Sequence, residues 1–438
     1  MFKTIANAFR DKEIRKRIFL TLLMLAIFRL GAYIPIPGLD VEAINSNANL
    51  DAGSFFGIIA TINGTFGSQG TLFSLGIMPF INSFIIMQLI TIIIPKLERM
   101  SKEGEEGRKK ITQITRYVAI GLAVVQAFGF VMSWGDNFIG LFGNGVANKW
   151  ITKIMTVIIL TAGSTFVMWL GERITEYGIG NGTSLIIFIG ILSGIGSSII
   201  NAISTMVGQS GDTSALMGSI WYFIGFIVFV LLLFLFIVYV DMAERRIPVR
   251  YAKQVKGNKM YGGQTSNIPM KVNASGVMPI IFASSFLMFP QMIASFWPES
   301  DFYAWYSKYL GVGSWAYIVV ITLLILFFSY FYAQIQFNPI EVSKNIQQYG
   351  GFIPGIRPGK PTSDYLAKIN NRITLFGAIF LAIIALIPSI LVAVIPTELG
   401  LTNAFSATGL LIVVSVALET NKQLESQIMM KTYKGFLK

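Results

Sequence analysis

Long apolar runs separated by short polar segments dominate the chain. Each run approaches the length of about 20 residues that an α-helix needs to cross the hydrocarbon core of a bilayer. The pattern predicts ten transmembrane helices, at residues 18–36, 76–94, 117–134, 151–170, 185–203, 220–240, 276–296, 315–334, 375–395 and 402–418. The last run is the weakest, because it is short and ends at Glu419. The runs therefore predict an all-α polytopic membrane protein.

The basic residues lie almost entirely in the polar segments on one side of these spans. All but four of the 34 Lys and Arg residues fall in segments 1–17, 95–116, 171–184, 241–275, 335–374 and 419–438. Lys149 and Lys308 lie on the other side, and Arg29 and Lys153 lie within or at the ends of spans. Because cytosolic loops are enriched in Lys and Arg, both termini are predicted to be cytosolic.

The N-terminal residues 1–17 combine six basic residues with Phe2, Ile5, Ala6 and Phe9 at helical spacing. This pattern predicts an amphipathic helix on the cytosolic membrane surface, with a solvated basic tail as the alternative. A full-length span follows without a small-residue cleavage site, so a cleavable signal peptide is not expected.

Composition narrows the function classes. Of the residues, 54% are hydrophobic and 13% are charged, which is about half of the roughly 25% charged residues usual in soluble proteins. The chain has neither Cys nor His, so disulfides, thiolate nucleophiles and imidazole chemistry are excluded. The net charge of +12 belongs to the cytosolic side, where it suits anionic lipid headgroups or nucleic-acid phosphates.

A short repeat indicates two related halves. The second predicted span opens with Gly76-Ile-Met-Pro79 and the seventh opens with Gly276-Val-Met-Pro279. Five spans in each half give the halves opposite orientations, as in many transport proteins. The predicted plan is an N-terminal segment (1–17), a first five-helix half (18–205), an external connection (206–219), a second half (220–420) with cytosolic loops 241–275 and 335–374, and a cytosolic tail (421–438).

The first external segment, residues 51–70, is apolar, rich in Gly and free of Lys and Arg. Its irregular sequence argues against a span, and its apolar character argues against a solvated loop. A re-entrant segment buried by protein is allowed in a membrane where a lipid-exposed loop is not. We therefore expect a re-entrant segment here, with an external loop resting at the interface as the alternative.

The predicted span centres contain no carboxylate. Solute transporters and ion channels usually place ionisable side chains inside the bundle. A wide pore lined by Ile would instead exclude water and ions by dewetting and would bind no particular cargo. A secondary transporter or lipid-linked flippase with inverted repeats is the alternative, and a scaffold or insertase without a pore is a third class.

Two glycine-containing segments bear on the question of which ligands or partners the chain binds. Residues 337–360 form a polar segment in which Pro354 and Pro358 restrict the backbone around Arg357, as expected of a docking surface for a soluble partner. Gly178-Ile-Gly-Asn-Gly182 lacks the Lys-Ser/Thr ending of a phosphate-binding loop, so nucleotide binding is not expected there.

Several motifs together resemble one family, the bacterial SecY protein-conducting channels, over essentially the whole chain. They are Gly76-Ile-Met-Pro79, Glu103-Gly-Glu-Glu-Gly-Arg-Lys-Lys110, Gly178-Ile-Gly-Asn-Gly182, Glu244-Arg-Arg-Ile-Pro248, Val272-Asn-Ala-Ser-Gly-Val-Met-Pro279 and Phe352-Ile-Pro-Gly-Ile-Arg-Pro-Gly359. The resemblance implies two halves around a central pore, closed from outside by a re-entrant plug at about residues 53–75.

The resemblance also implies roles for particular residues. The pore ring would be Ile81, Ile85, Ile187, Ile281 and Ile412, for which ordinary bundle core is the alternative. The plug would contain Phe55, Phe56, Ile58, Ile59, Ile62 and Phe66. The lateral gate, formed by spans two and seven, would carry the polar residues Thr91, Gln126 and Asn273, for which hydrogen bonding within each helix is the alternative.

Partners and location follow from the same resemblance. Arg245, Arg246, Arg250, Arg357 and Lys360 would bind the motor ATPase SecA and the rRNA phosphates of the ribosome. The implied assembly contains SecE and often SecG in the bacterial plasma membrane, handles signal sequences and unfolded preproteins, contacts membrane lipids, and needs no cofactor. The implied function is passage of preproteins across the membrane and lateral release of transmembrane segments, without covalent chemistry.

Overall fold

A computed structural model describes residues 9, 11–40, 70–135, 138–139, 146–208, 213–251, 254–256, 259–261, 265–294, 300–311, 314–394 and 407–435. Its helices are α1 (Lys12–Gly31), α2 (Met78–Ile93), α3 (Pro95–Lys102), α4 (Glu105–Ser133), α5 (Val146–Tyr177), α6 (Gly182–Gly208), α7 (Thr213–Met242), α8 (Met278–Ala294), α9 (Asp301–Leu310), α10 (Trp315–Gln336), α11 (Pro339–Gln348), α12 (Lys360–Val394) and α13 (Ala407–Gly435). The strands are β1 (Glu244–Tyr251), β2 (Gln254–Lys256), β3 (Lys259–Tyr261), β4 (Thr265–Lys271) and β5 (Gly351–Phe352).

The helices follow the predicted apolar runs, and each of the ten runs overlaps one helix. Within the described ranges, six helices are long and apolar enough to cross a membrane, namely α4, α5, α6, α7, α10 and α12. The pair α2 and α3 passes the same test together, and α8 is a shorter apolar helix. The chain therefore has the helical architecture of a multi-pass membrane protein, and the exact number of ten spans stays a prediction.

Several helices extend beyond the predicted spans into polar sequence. Helix α4 begins at Glu105 rather than near 117, and α13 continues to Gly435 rather than ending near 418. Helix α1 begins at Lys12, because Asp11 caps it by accepting hydrogen bonds from the backbone N–H groups of Glu13 and Ile14. The basic residues between 12 and 17 thus belong to the helix of the first predicted span, whereas Phe2, Ile5 and Ala6 lie outside the described residues.

A sharp bend of 101° separates α2 from α3. Pro95 opens α3, and the residue before it, Ile94, is extended with φ −95° and ψ 112°. The ring of a proline disfavours the helical conformation of the preceding residue, which accounts for the break. The chain therefore leaves the apolar run at Ile94 and turns into the basic segment predicted to be cytosolic.

Contacts divide the chain into two compact units. The first contains Met1–Tyr222, Ser285–Tyr317 and Pro388–Lys438, and the second contains Phe223–Ser284 and Ile318–Ile387. In the first unit α1 packs on α5 and α6, α2 packs on α4, and α13 packs on α6. Phe73 stacks between Phe28 of α1 and Phe166 of α5, with ring centroids 5.9 Å from each.

The two Gly-X-Met-Pro motifs adopt the same local structure. Residues 72–77 and 272–277 each form a continuous turn, and α2 and α8 begin at Met78 and Met278. Gly76 and Gly276 have φ values of 54° and 60°, in the left-handed region that favours glycine. The four-residue sequence repeat therefore has the same structure in both places. A residue paired in a strand or bridge is followed by a turn, and the turn is followed by the start of a helix.

A glycine from another helix packs against each of these turns. A Cβ atom on Gly163 of α5 would lie 2.2 Å from the carbonyl oxygen of Leu72. A Cβ atom on Gly377 of α12 would lie 2.7 Å from the carbonyl oxygen of Val272. These glycines lie in the predicted fourth and ninth spans, which are equivalent positions in the two halves. The local repeat thus includes a helix-to-turn contact that the sequence comparison of the motifs did not reveal.

The loop between α5 and α6, which is Gly178-Ile-Gly-Asn-Gly182, is a close-packed turn. Asn181 Oδ1 accepts a hydrogen bond from the backbone N–H of Thr183 at 3.1 Å and so caps α6. A Cβ atom on Gly182 would lie 2.0 Å from the carbonyl oxygen of Gly171. The glycines of this loop therefore serve packing and turn geometry.

This loop also joins the first and last described helices. The hydroxyl of Thr21 in α1 accepts a hydrogen bond from the backbone N–H of Ile179 at 3.1 Å. The side chain of Ile179 is buried in a small cluster with Ile14 of α1 and Leu424 of α13. We call this cluster the terminal junction, because it holds both ends of the described chain against one loop.

The second unit contains strands that the sequence analysis did not foresee. Strands β4, β1 and β5 form an antiparallel sheet in that order, and β2 pairs with β3. β1 and β4 pair along their length, with Ile247 opposite Ile268. Strands β1 and β4 thus form a β-hairpin that begins directly after α7, and β5 from the later segment adds to its sheet.

Candidate functional site

A small hydrophobic core supports the basic segments of the second unit. It is formed by side chains from the sheet, from the residue after β5, from α11 and from the start of α12, namely Ile247, Val249, Met270, Ile346, Ile353, Leu366 and Ile369. Since this core holds the sheet and the segment after β5 together, segments 241–275 and 335–374 are parts of one folded structure. Five exposed basic residues of this structure were predicted to bind partners, and we call them the docking surface: Arg245, Arg246, Arg250, Arg357 and Lys360.

Strand geometry divides the arginines of β1 between two faces. Successive side chains of a strand point to opposite faces, and Ile247 and Val249 are buried in the core. Arg246 and Arg250 therefore share the outer face of the sheet, while Arg245 lies on the core side at the exposed start of the strand. Arg246 also forms an ion pair with Glu244, with a distance of 2.7 Å between Nη2 and Oε1. The three arginines predicted as one group are thus not equivalent.

Arg357 is exposed on a turn that the core orients. Ile353 is buried and Ile356 packs against the same core, so both sides of the turn are fixed. The hydroxyl of Thr362 donates a hydrogen bond to the carbonyl oxygen of Arg357 at 2.8 Å. Among the residues that the structure describes, no carboxylate pairs with the Arg357 guanidinium. The side chain is therefore available to a partner on a preorganised backbone.

Two glycines and a helix complete this turn. Gly355 and Gly359 have φ values of 85° and 97°, which residues with a Cβ atom rarely adopt. The hydroxyl of Ser343 in α11 donates to the carbonyl oxygen of Gly359 at 2.8 Å. The polar segment 337–360 also contains helix α11, which the sequence analysis did not predict. Asn338 caps it by accepting from the backbone N–H groups of Ile340 and Glu341.

Strand β5 brings an additional residue into the docking surface. Phe352 is paired with Arg250 in the antiparallel register, and directly opposite residues share one face of a sheet. Its side chain is exposed. Sequence reasoning missed this aromatic residue, because the pairing joins two loops that are about 100 positions apart in the chain. The pairing also connects Arg250 to the segment that leads to Arg357.

Four of the five pore-ring candidates lie in the first unit and are buried. Ile81 and Ile85 of α2, Ile187 of α6 and Ile412 of α13 expose between 7% and 8% of their surface. The fifth, Ile281 of α8, lies in the second unit and is half-buried. The neighbouring Ile186 and Leu411 expose 2% and 0%. The four buried candidates thus face the interior of the first unit, and this burial fits a pore lining and a bundle core equally well.

The gate candidates differ in how their polar groups are satisfied. The hydroxyl of Thr91 in α2 donates to the carbonyl oxygen of Met87 in the same helix at 2.6 Å, which is the alternative considered for it. Gln126 of α4 is buried. Asn273 is 3% exposed, and its Nδ2 donates to Oδ1 of Asp241 at the end of α7, at 3.1 Å. Asn273 Oδ1 has no hydrogen-bond partner among the described residues.

Sequence reasoning missed three polar residues near these positions. Asp241 was overlooked because the search for carboxylates covered span centres and not span ends. Asn82 and Gln88 of α2 each carry a buried side-chain oxygen without a hydrogen-bond partner in the described part of the chain. Polar residues inside an otherwise apolar span were the signal that would have identified them. Helix α2 therefore carries two buried polar atoms without a described hydrogen-bond partner, whereas most buried polar atoms in proteins have one.

The six plug candidates, at positions 55, 56, 58, 59, 62 and 66, lie outside the described residues. Residues that follow them are firmly packed. The backbone N–H of Leu72 donates to the carbonyl oxygen of Ile34 at 2.9 Å, and that of Ile36 donates to Gly70 at 3.0 Å. Residues 70–72 are therefore held against the residues after α1.

The two charges within spans each contact hydroxyl or aromatic groups. The Arg29 guanidinium donates to Ser193 Oγ of α6 and lies 5.3 Å from the centroid of the Tyr33 ring. The Lys153 ammonium lies 5.3 Å from the Trp150 ring and 5.6 Å from the Phe138 ring. Aromatic and hydroxyl contacts of this kind lower the cost of a cation near a membrane. Both side chains are therefore held by hydroxyl or aromatic contacts to other parts of the first unit.

Comparison with known proteins gives one consistent result. A sequence profile of the SecY family matches residues 71–421. The protein translocase subunit SecY of Streptomyces galbus is 42% identical over 452 aligned positions, which cover 100% of both chains. The chain belongs to the SecY family.

Solved structures show that the fold is that of the SecY family as well. A structure described as a protein-conducting channel superimposes with a TM-score of 0.69 at 21% identity, over 94% of this chain and 91% of that one. Sec61 in the canine ribosome–channel complex gives 0.63 at 19% identity, over the same shares of the two chains. Every pore-ring, gate and docking candidate lies inside the segment that the SecY profile matches, whereas the six plug candidates precede it.

Proposed function

We propose that this chain is the pore-forming subunit of a protein translocase, which conducts unfolded preproteins across the bacterial plasma membrane and releases transmembrane segments sideways into lipid. The observation that carries the proposal is the full-length, 42% identical relationship to a protein translocase subunit. The topology rests on the distribution of Lys and Arg, which favours cytosolic termini and a cytosolic docking surface.

The proposed mechanism is conditional opening. A signal sequence enters between α2 and α8, the plug moves aside, and the isoleucines at 81, 85, 187, 281 and 412 close around the moving chain. An apolar ring gives no specific site at which a varied cargo would bind, and it keeps water and ions out by dewetting. Release into lipid is then a partition step. Leu, Ile, Phe or Val each favour it by about 0.3–0.6 kcal/mol, and a central charge opposes it by about 2.5–3.5 kcal/mol.

The proposed partners are the ribosome and SecA at the docking surface, together with SecE and SecG in the membrane. The exposed guanidinium of Arg357 suits bidentate contacts to phosphate or carboxylate groups. The family includes a relative in the canine ribosome–channel complex, which supports a ribosome as one partner. The subunit itself performs no covalent chemistry, and energy comes from the partner or from the membrane potential.

The first experiment measures single-channel conductance of the purified protein in planar bilayers together with SecE. The intact protein is compared with a variant that lacks residues 58–68. We expect a quiet intact channel and a large, flickering conductance after the deletion. Silence from both proteins, with folding confirmed, would contradict the plugged pore and favour the transporter alternative.

A second experiment tests the docking surface through Arg357→Glu. The variant is expected to lose SecA-dependent and ribosome-dependent translocation, because a carboxylate repels phosphate and cannot donate bidentate hydrogen bonds. Lys368→Glu is the matched control, since Lys368 is exposed on α12 of the same unit and makes the same change of charge. Equal translocation by both variants would remove Arg357 from the proposed site.

A further inference from the structure

The short helix α9, Asp301–Leu310, carries a stripe of exposed aromatic rings. Phe302, Trp305 and Tyr309 expose 47%, 52% and 45% of their surface. The ring centroids of Phe302 and Trp305 are 6.5 Å apart, and those of Trp305 and Tyr309 are 5.9 Å apart. At about 100° of rotation per residue, the three positions fall within about 60° of the helix circumference. The rings therefore form one continuous apolar surface.

The remaining sides of α9 have different characters. Asp301 and Lys308 are exposed and follow the aromatic stripe on one side of the helix. Tyr306 lies on the other side and is buried. The order around the helix is thus charged, aromatic and protein-facing. This is the arrangement of a helix that lies along a boundary between water and lipid, with its charges toward water.

The buried side of α9 is fixed to the neighbouring helices. The hydroxyl of Tyr306 donates to the carbonyl oxygen of Leu287 in α8 at 2.6 Å, and burial raises the pKa of Tyr306 to about 12. Ser314 Oγ donates to the carbonyl oxygen of Tyr309 at 2.6 Å. Ser300 caps the helix by accepting from the backbone N–H of Tyr303 at 3.2 Å. The aromatic stripe therefore has a fixed orientation relative to α8.

Both adjoining helices also carry exposed apolar side chains. Phe286 and Ile293 of α8 expose 58% and 49% of their surface, and Trp315 at the start of α10 exposes 77%. Helix α9 connects the predicted seventh and eighth spans, so it lies at one end of the membrane-crossing region. Trp and Tyr are enriched at this depth because their rings are amphipathic. The position and chemistry of the stripe both favour lipid as its occupant.

We propose that α9 is an interfacial anchor, whose rings Phe302, Trp305 and Tyr309 bind bilayer lipid at the boundary between headgroups and acyl chains. Asp301 and Lys308 balance each other, so the site selects the boundary itself and does not require anionic headgroups. The anchor is independent of the translocase function, because any membrane location of α8 and α10 places α9 at an interface. It fixes the depth of α8 through the hydrogen bond from Tyr306 to Leu287.

The absence of Cys from the chain provides a direct test, since one introduced Cys is a unique labelling site. Phe302→Cys reports on the aromatic stripe, and Lys308→Cys on the same helix is the matched control. Each variant carries a nitroxide label in phosphatidylcholine vesicles, and its collisions with oxygen and with a water-soluble nickel chelate are measured. We expect oxygen to dominate at 302 and nickel to dominate at 308.

A second measurement uses native Trp305. The difference in fluorescence between the parent and Trp305→Phe gives the signal of Trp305. We expect this signal to be quenched more by lipid brominated near the headgroup than by lipid brominated near the chain end. Trp134, 3% exposed, supplies the buried control through Trp134→Phe. Nickel access at 302 together with loss of lipid quenching would place the stripe in water. Protection of 302 from both reagents would mean that protein covers it, and either result would overturn the proposal.

Discussion

Replacing Asp241 by Leu removes the acceptor of the hydrogen bond from Asn273 Nδ2, which measures 3.1 Å. Asn273 is 3% exposed and its Oδ1 already lacks a described partner, so the substitution leaves the whole amide unsatisfied. A hydrogen bond to a charged group contributes about 1.5–3 kcal/mol. Because Asp241 is itself half-exposed, we take the lower end, about 1.5 kcal/mol, which is roughly tenfold in an equilibrium constant.

The equilibrium in question is closure of the proposed gate, where Asn273 is a candidate. The assay is export of a reporter preprotein with a defective signal sequence, normalised to the same reporter with an intact one. Asp241→Leu is expected to raise this ratio up to about tenfold, since a less stable closed state opens with a weaker signal. Asp241→Asn keeps an oxygen acceptor at the same position and is expected to stay close to the parent.

Asn273→Ala supplies the second half of a double-mutant cycle. If Asp241 acts by orienting Asn273, then Asp241→Leu has no further effect once the amide is gone. Full additivity of the two changes would refute this reasoning, because the residues would then act independently. If Asp241→Leu and Asp241→Asn raised the export ratio equally, the negative charge of Asp241 would matter and its hydrogen bond to Asn273 would not.

Two further predictions concern stability, measured as thermal unfolding in detergent. Gly182→Ala is expected to lower stability by about 1–3 kcal/mol, because the new Cβ atom would lie 2.0 Å from the carbonyl oxygen of Gly171. The control is Gly218→Ala, whose Cβ atom would meet nothing within 4 Å, so this variant should be neutral or slightly stabilising. Tyr306→Phe is expected to cost about 1 kcal/mol through the lost bond to Leu287. The raised pKa of Tyr306 favours the neutral phenol in the folded state, so its stabilising effect is complete below the usual pKa of about 10 and is lost as the pH rises through about 12. A Tyr306→Phe protein that loses the same amount of stability over that alkaline range would contradict this assignment.

The helical part of the fold was predictable because lipid permits few alternatives to long apolar helices. The extension of α4 back to Glu105 was not, since helices can continue into water with polar residues that carry no hydropathy signal. The hairpin of β1 and β4 was missed for a different reason. Its alternation at Ile247, Val249 and Met270 is short, and it was interpreted only as a loop between spans.

The position of a candidate residue was predictable where it depends on local sequence, and less so where it depends on a residue far along the chain. Arg357 was identified from Pro354 and Pro358, and the structure places it on an exposed turn. Phe352 and Asp241 were missed, because their relevance depends on a strand pairing and on a contact across 32 positions in the chain. Such long-range contacts leave no local pattern in a single sequence.

The terminal junction has a consequence for biosynthesis. Ile14 and Ile179 lie in the chain long before Leu424, which completes the cluster. At about 5–20 residues per second, synthesis takes on the order of 20–80 s between the first and last of these residues. Ile14 lacks this apolar neighbour throughout that interval, and Ile179 lacks it from the time it is made. A nascent chain that stops before α13 keeps them uncovered, so the junction distinguishes a finished polypeptide from a truncated one.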